Sequence, residues 1–312
     1  MKVSTLQKRL LSPRRNATSA RLHLALLLSI PIVASACSQP LVIRSERTQA
    51  MMPIAKSKTV VFVHGMFMTP LAWEKWEAHF AAKGYKTLAP AWPLHDLPIE
   101  DQRKNHPNPK LGELTLDTVL SHYRQVLKGL DEKPILVGHS MGGLIVQILL
   151  AEGLGAAGIA IDSAPPKGVI SLKYSFLKSN WPVISPSAKV SEPFFPTQQN
   201  FDYSFSNCIP AAEQKSAYER FAVPESRRVG KAPTEDVAKI NFQTARPPLL
   251  LIAGSLDHII PASLNRSNYD KYDRSPSITD FREFEGRCHF IIGQTGWEEV
   301  ADYVLDWIAK NQ

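Results

Sequence analysis

Acidic residues are missing from the first 36 positions, where six cations stand: Lys2, Lys8, Arg9, Arg14, Arg15 and Arg21. This one-sided start supplies most of the formal charge of +7. Removing its six cations from the total of 36 leaves 30 against 29 acids, a balance of +1. The rest of the chain therefore lacks the electrostatic footprint of a nucleic-acid-binding surface, and nucleic acid is not an expected partner. A long unbroken apolar run is also lacking. The nearest candidate, LHLALLLSIPIVASA, is short and interrupted by Pro31, which does not suit a permanent membrane-spanning helix. Cysteine is scarce at three residues, and no His, Cys, Asp or Glu cluster stands at metal-ligand spacing. No dinucleotide glycine fingerprint follows the first apolar strand pattern either, so neither metal nor organic cofactor is expected. With 44% hydrophobic and 21% charged residues, the composition fits an ordinary globular protein.

Basic residues followed by an apolar stretch and the small residues Ala34, Ser35 and Ala36 read as an export signal over residues 1–36. Cys37 follows directly, and ASAC resembles a bacterial lipobox with Ala34 where leucine is usual. The resemblance implies lipidation of Cys37 and a membrane contact through an N-terminal lipid anchor. Ordinary cleavage with release, or an uncleaved anchor, are the alternatives. In a Gram-negative cell the product would be a periplasmic or outer-membrane lipoprotein; elsewhere it would be secreted or surface-anchored. Export to an oxidising compartment leaves Cys208 and Cys288 as an even pair, either two buried thiols or a disulfide.

Residues 37–56 are polar and without periodicity, as in a tether, and the folded domain is expected over 57–312. TVVFV at 59–63 is a short β-branched run that suits a strand buried on both faces of a parallel sheet. Helical and strand patterns then alternate through LAWEKWEAHFAAKG, YKTLAPAWP, LTLDTVLSHYRQVLKGL, KPILVGHS, MGGLIVQILLAEGLG and AAGIAIDSAPP. Such alternation implies an α/β fold, with a mostly parallel central sheet covered by helices on both faces. From about 165 to 246 the rhythm gives way to a stretch rich in proline and aromatics, read as a cap inserted into the domain. The rhythm returns in PPLLLIAG, SITDFREFEG and WEEVADYVLDWIAKN, where Val300, Val304, Leu305 and Ile308 mark the buried face of a last helix.

Gly138-His139-Ser140-Met141-Gly142 lies between a strand and a helix, the context of a serine on a sharp turn. Gly138 and Gly142 leave room for close backbone passage, and the Met141 amide stands at a helix N-terminus, where it can stabilise an oxyanion. After the first strand, His64-Gly65 permits a tight turn that leaves the amide of Met66 as a second donor. His64 is read as shaping that loop. A serine hydroxyl needs a base, and the base needs an orienting acid. His258 sits beside one candidate acid, His139 within the serine turn, and His95 and His106 in a polar loop.

In combination, HG, GHSMGG, AGSLD and the late CH resemble the α/β-hydrolase superfamily over about residues 57 to 312, and the serine-methionine pair is similar to cofactor-free haloperoxidases and related esterases. The resemblance implies an acid after a late strand and a histidine after the last, which assigns Asp257 and His289, with Asp162 as the rival acid. It implies an esterase- or lipase-like serine hydrolase in which Ser140 forms an acyl-enzyme from a small-molecule carboxylic ester. The aromatic cap favours apolar acyl or alkyl groups. Acyl transfer or perhydrolysis by the same residues, and a non-catalytic exported binding protein, are the competing readings. The sequence sets no oligomeric state.

Overall fold

The computed structural model describes residues 56–312; the export signal over 1–36, Cys37 and all but the end of the 37–56 tether lie outside the described residues. Six strands form one parallel sheet in the order β2-β1-β3-β4-β5-β6: β1 Thr59–Val63, β2 Lys86–Leu88, β3 Ile135–His139, β4 Ala157–Ile161, β5 Leu249–Gly254 and β6 Thr279–Phe284. Every residue of β1, β3, β4 and β5 is buried. That is why these segments read as continuous apolar runs, since a strand covered on both faces has no solvent side to alternate toward. The edge strands β2 and β6 keep polar and partly exposed residues.

Helices α1 Glu74–Ala82, α4 Leu116–Lys128, α5 Met141–Ala151, α10 Ala262–Asp270 and α11 Trp297–Asn311 connect or follow the strands, and the short α2 Ile99–Lys104 and α3 Pro109–Gly112 lie between β2 and α4. Thr115 caps α4 by accepting from the Thr118 amide, which satisfies one of the free donors of its first turn. Three details differ from the sequence pattern. The α1 pattern begins as a 3-10 turn over Pro70–Trp73, where proline suits a helix start. The second strand pairs only over Lys86–Leu88, two residues short of Pro90. On α11, Leu305 is half-buried, while Trp297, Ala301 and Trp307 complete the inner face with Val300, Val304 and Ile308.

Between β4 and β5 the chain leaves the sheet to form α6 Tyr174–Ile184, α7 Gln198–Ser204, α8 Ala211–Phe221 and α9 Arg227–Lys231. Its aromatics serve partly as a core of their own. Phe201 stacks on Phe205 with centroids 4.6 Å apart and meets Tyr218 edge-on at 5.6 Å.

Candidate active site

The strand pairings align the carboxyl ends of β1, β3, β4 and β5: Val63 lies opposite Gly138, His139 opposite Ile161, and Ile161 opposite Ile252. The chain turns from β2 on one side of β1 to β3 on the other, so loops leaving β1 and β3 diverge around a crevice, the usual place for a ligand in an open parallel sheet. His64-Gly65-Met66 follows β1 and Ser140 follows β3.

Ser140 stands at φ 57° and ψ −122°, a conformation costly for a residue with a Cβ, and α5 begins at the next residue. The surroundings hold it there. Its amide donates to the Ile161 carbonyl at 2.9 Å, and its carbonyl accepts from the Gly143 and Ala164 amides at 2.9 Å each. The two glycines expected to make room do so by contact: a Cβ on Gly138 would lie 2.2 Å from the Gly142 carbonyl oxygen and one on Gly142 would lie 2.1 Å from that of Val63; Gly65, in the tight turn after β1, is close too, where a Cβ would lie 2.8 Å from the Ser140 Cβ. Met141, as the first residue of α5, has no intrahelical acceptor for its amide. Met66 follows Gly65 in a turn whose next residue, Phe67, has φ 63°. Met66, Ser140 and Met141 all line one cavity of about 530 Å³ beneath α6, with walls that include Val169, Phe176, Val183, Phe194 and Ile260. A more polar cleft of about 750 Å³ between α1, α8 and α11 contains none of the candidate residues.

His289 and Asp257 are buried together, with His289 Nδ1 2.7 Å from Asp257 Oδ2. The other carboxylate oxygen, Oδ1, accepts from the amides of Ile259 at 2.7 Å and Ile260 at 2.9 Å, which fixes the carboxylate plane. Nε2, the ring nitrogen opposite the Asp257 contact, is buried and makes no hydrogen bond among the described residues; none joins it to Ser140. The backbone linkage is short all the same: His139, the residue before Ser140, donates from Nε2 to the His289 carbonyl at 2.8 Å, and the two rings are 4.6 Å apart. Burial, then the neighbouring His289, lower the His139 pKa well below the ordinary histidine value, so the ring is a neutral donor. Its position next to the serine was legible in the sequence, whereas its contact with the His289 loop was not.

The rival acid is close but differently bonded. Asp162 is fully buried, Oδ1 accepts from the Gly254 amide at 2.7 Å, and Oδ2 has no hydrogen-bond partner among the described residues, with the Asp257 carboxylate as its charged neighbour. Burial first, then the charge of Asp257, push its carboxyl well above the usual range. A protonated Asp162 can donate to Asp257, and Asp257 is the acid that holds His289. His139, Asp162 and His289 can bring one ligand atom each within 4.8 Å of the others. Their bonds to His289, Gly254 and Asp257 use much of that donor capacity.

The remaining histidines are placed elsewhere. His64 Nδ1 lies 2.9 Å from the Gly65 carbonyl, its Nε2 accepts from the Trp92 amide at 3.1 Å, and burial lowers its pKa, so it stays neutral and shapes its loop. His258 Nδ1 bonds the Tyr203 carbonyl at 2.8 Å. His95 departs from the polar-loop expectation: it is buried, 3.1 Å from the equally buried Glu225 of the segment between β4 and β5. Cys208, between α7 and α8, is joined in a disulfide to Cys288, beside His289, with Cα atoms 5.6 Å apart.

Comparison with curated proteins finds no match. Among solved structures the chain is similar to a monoacylglycerol lipase from Paleococcus ferrophilus at 19% identity, with a TM-score of 0.59 and coverage of 82% of this chain and 96% of that one. A methylesterase from Arabidopsis is 15% identical with a TM-score of 0.57, covering 80% and 98% respectively. Tomato methylketone synthase I is 15% identical with a TM-score of 0.59, covering 82% and 99%. At these identities the likeness concerns the fold. Residues 60–303, most of the chain, match the alpha/beta hydrolase family, and the chain belongs to that family.

Proposed function

We propose that the chain is a serine-dependent carboxylic ester hydrolase that works through an acyl-enzyme on Ser140. One observation carries the reading: a strained, cavity-lining serine is preceded by a histidine bonded to the loop of His289, itself bonded to Asp257. In attack, His289 Nε2 takes the serine proton while Asp257 keeps Nδ1 protonated and stabilises the imidazolium. The Met66 and Met141 amides receive the negative charge that develops on the carbonyl oxygen. His289 returns the proton to the departing alcohol, and water repeats the sequence on the acyl-enzyme.

The apolar walls around Ser140 support esters with apolar acyl or alkyl groups, which gain by leaving water. In the related fold, tomato methylketone synthase I is seen with 2-tridecanone, a long alkyl ketone. We place the enzyme outside the cytoplasm, exported by residues 1–36 and lipidated at Cys37; mass spectrometry of the mature N-terminus checks this. The test of chemistry is fluorophosphonate labelling beside turnover of an ester series of rising acyl length. Labelling should map to Ser140 and vanish in Ser140→Ala, and longer acyl chains should be preferred. An unlabelled chain, or preference for charged esters, overturns the reading.

A further inference from the structure

Of the large hydrophobic residues that stand exposed among the described residues, most fall within one short segment: Ile170 at 78%, Leu172 at 82%, Tyr174 at 75%, Leu177 and Trp181. Tyr174, Leu177 and Trp181 are spaced i, i+3 and i+7 on α6, so they share its outer face. The inner face carries Phe176 and Val183, which line the cavity above Ser140. An α-helix that is apolar on both sides is ordinarily covered on both sides; here one side meets water. Ile170 and Leu172 line the same cavity while remaining exposed, which makes them its rim.

Along the chain segment that carries this face the charge has one sign, the nearest acids coming from elsewhere: Asp236 on Lys167, and Asp202 in the cleft that Lys178 also lines. Between Asp162 and Glu192 there are four lysines and no acid. Lys167 pairs with Asp236 and Lys189 with Glu192, whereas Lys173 and Lys178 make no salt bridge among the described residues. Lys178 instead lies 3.7 Å from the centre of the Tyr203 ring. Exposed tyrosine and tryptophan beside lysines, on an apolar helix face, is the chemistry of a helix lying in the headgroup layer of an anionic membrane. Two copies paired through this face would bring their unpaired lysines toward each other, so charge favours the lipid.

We propose that the rim residues Ile170 and Leu172, with the outer face of α6, seat the protein on an anionic lipid surface, Lys173 and Lys178 meeting the headgroups. The mouth of the Ser140 cavity then opens at the acyl layer, where an apolar ester would be drawn directly from the membrane. Docking itself needs no turnover, and Ser140→Ala should dock like the parent, so failure of docking and failure of ester hydrolysis are read separately.

Trp181 provides the readout. The chain has six tryptophans, and Trp73, Trp76, Trp92, Trp297 and Trp307 are all buried. The full chain carrying Cys37→Ser, which removes the lipid acceptor, is mixed with phosphatidylcholine vesicles with or without phosphatidylglycerol, both containing brominated acyl chains. The N-terminal apolar run contains no tryptophan, so its insertion leaves this signal untouched. The expected result is a blue shift and bromine quenching on the anionic vesicles, both lost in Trp181→Phe. Lys173→Gln with Lys178→Gln should weaken the quenched state roughly fivefold per lysine, on the order of thirtyfold for the pair. Cosedimentation with Trp181 unquenched, or an unquenched Trp181 that becomes shielded only as the protein dimerises in solution, overturns the proposal.

Discussion

At the residue scale, the site depends on which of two neighbouring carboxyls carries charge. Asp257 has every oxygen contact a carboxylate needs: two backbone amides on Oδ1 and the His289 ring on Oδ2. Among the described residues Asp162 accepts a hydrogen bond from Gly254 alone, and burial, then the charge of Asp257, raise its pKa well above the usual carboxylate range, so it keeps its proton to higher pH than an ordinary carboxyl. A carboxyl raised in the folded state contributes fully to stability below its unfolded pKa of about 4, and that contribution is lost as pH rises through the folded value. Asparagine keeps the acceptor for Gly254 and offers a donor toward Asp257 but cannot ionise. The melting temperature of Asp162→Asn relative to the parent should therefore climb as pH rises from about 4 toward its raised folded value, and ester turnover at neutral pH should survive. A relative melting temperature that stays flat across that range would refute a protonated Asp162. Ser140→Ala, by contrast, should lower kcat by about 10^4-fold or more in ester hydrolysis while leaving the melting temperature within a few degrees.

At the element scale, the segment between β4 and β5 is tied to the sheet by buried polar contacts that periodicity does not reveal. Phe194 and Glu225 form an isolated antiparallel bridge, and Glu225 reaches His95 in the loop after β2. Burial disfavours a charged His95, yet the Glu225 carboxylate, with the Pro93 carbonyl and Asp96, outweighs it and raises the pKa above the ordinary histidine value, with His64 the other titratable ring nearby. The sign follows: stabilisation is complete below pH of about 6.5 and declines as pH passes through the raised folded value. Glu225→Gln, followed by denaturant unfolding across pH, should destabilise most on the acid side, where Glu225 is what allows His95 to hold its proton, and should flatten the decline as pH rises. The sequence displayed what depends on local rules: apolar runs for β1, β3, β4 and β5, the glycines around Ser140, and the order serine, acid, histidine. It did not display His95 with Glu225 or His139 with the His289 carbonyl, because partners 130 and 150 positions apart leave no periodic trace. Irregular aromatics likewise told of a separate layer without showing that α6 turns one face to the cavity and another to water.

At the scale of the whole molecule, the disulfide between Cys208 and Cys288 closes a loop with a sequence separation of 80 that contains α8, α9, β5, α10 and β6. It joins the layer above the cavity to the loop that carries His289, so it constrains the two parts of the site contributed by the sheet and by the segment over it. In the chain-entropy account, closing a loop of that length removes about 4 kcal/mol of denatured-state freedom. It also accords with the export proposed for residues 1–36, since such bonds persist in oxidising compartments. Reduction, or Cys208→Ser with Cys288→Ser, should lower the melting temperature by about 10 °C for a chain of this size. The loss should reach turnover before it reaches global structure, because the freed loop holds His289 against Asp257 and His139. Thermal melts followed beside ester hydrolysis, with and without reductant, measure both effects; a reduced protein that melts and turns over like the oxidised one would show that the His289 loop is held by its hydrogen bonds alone.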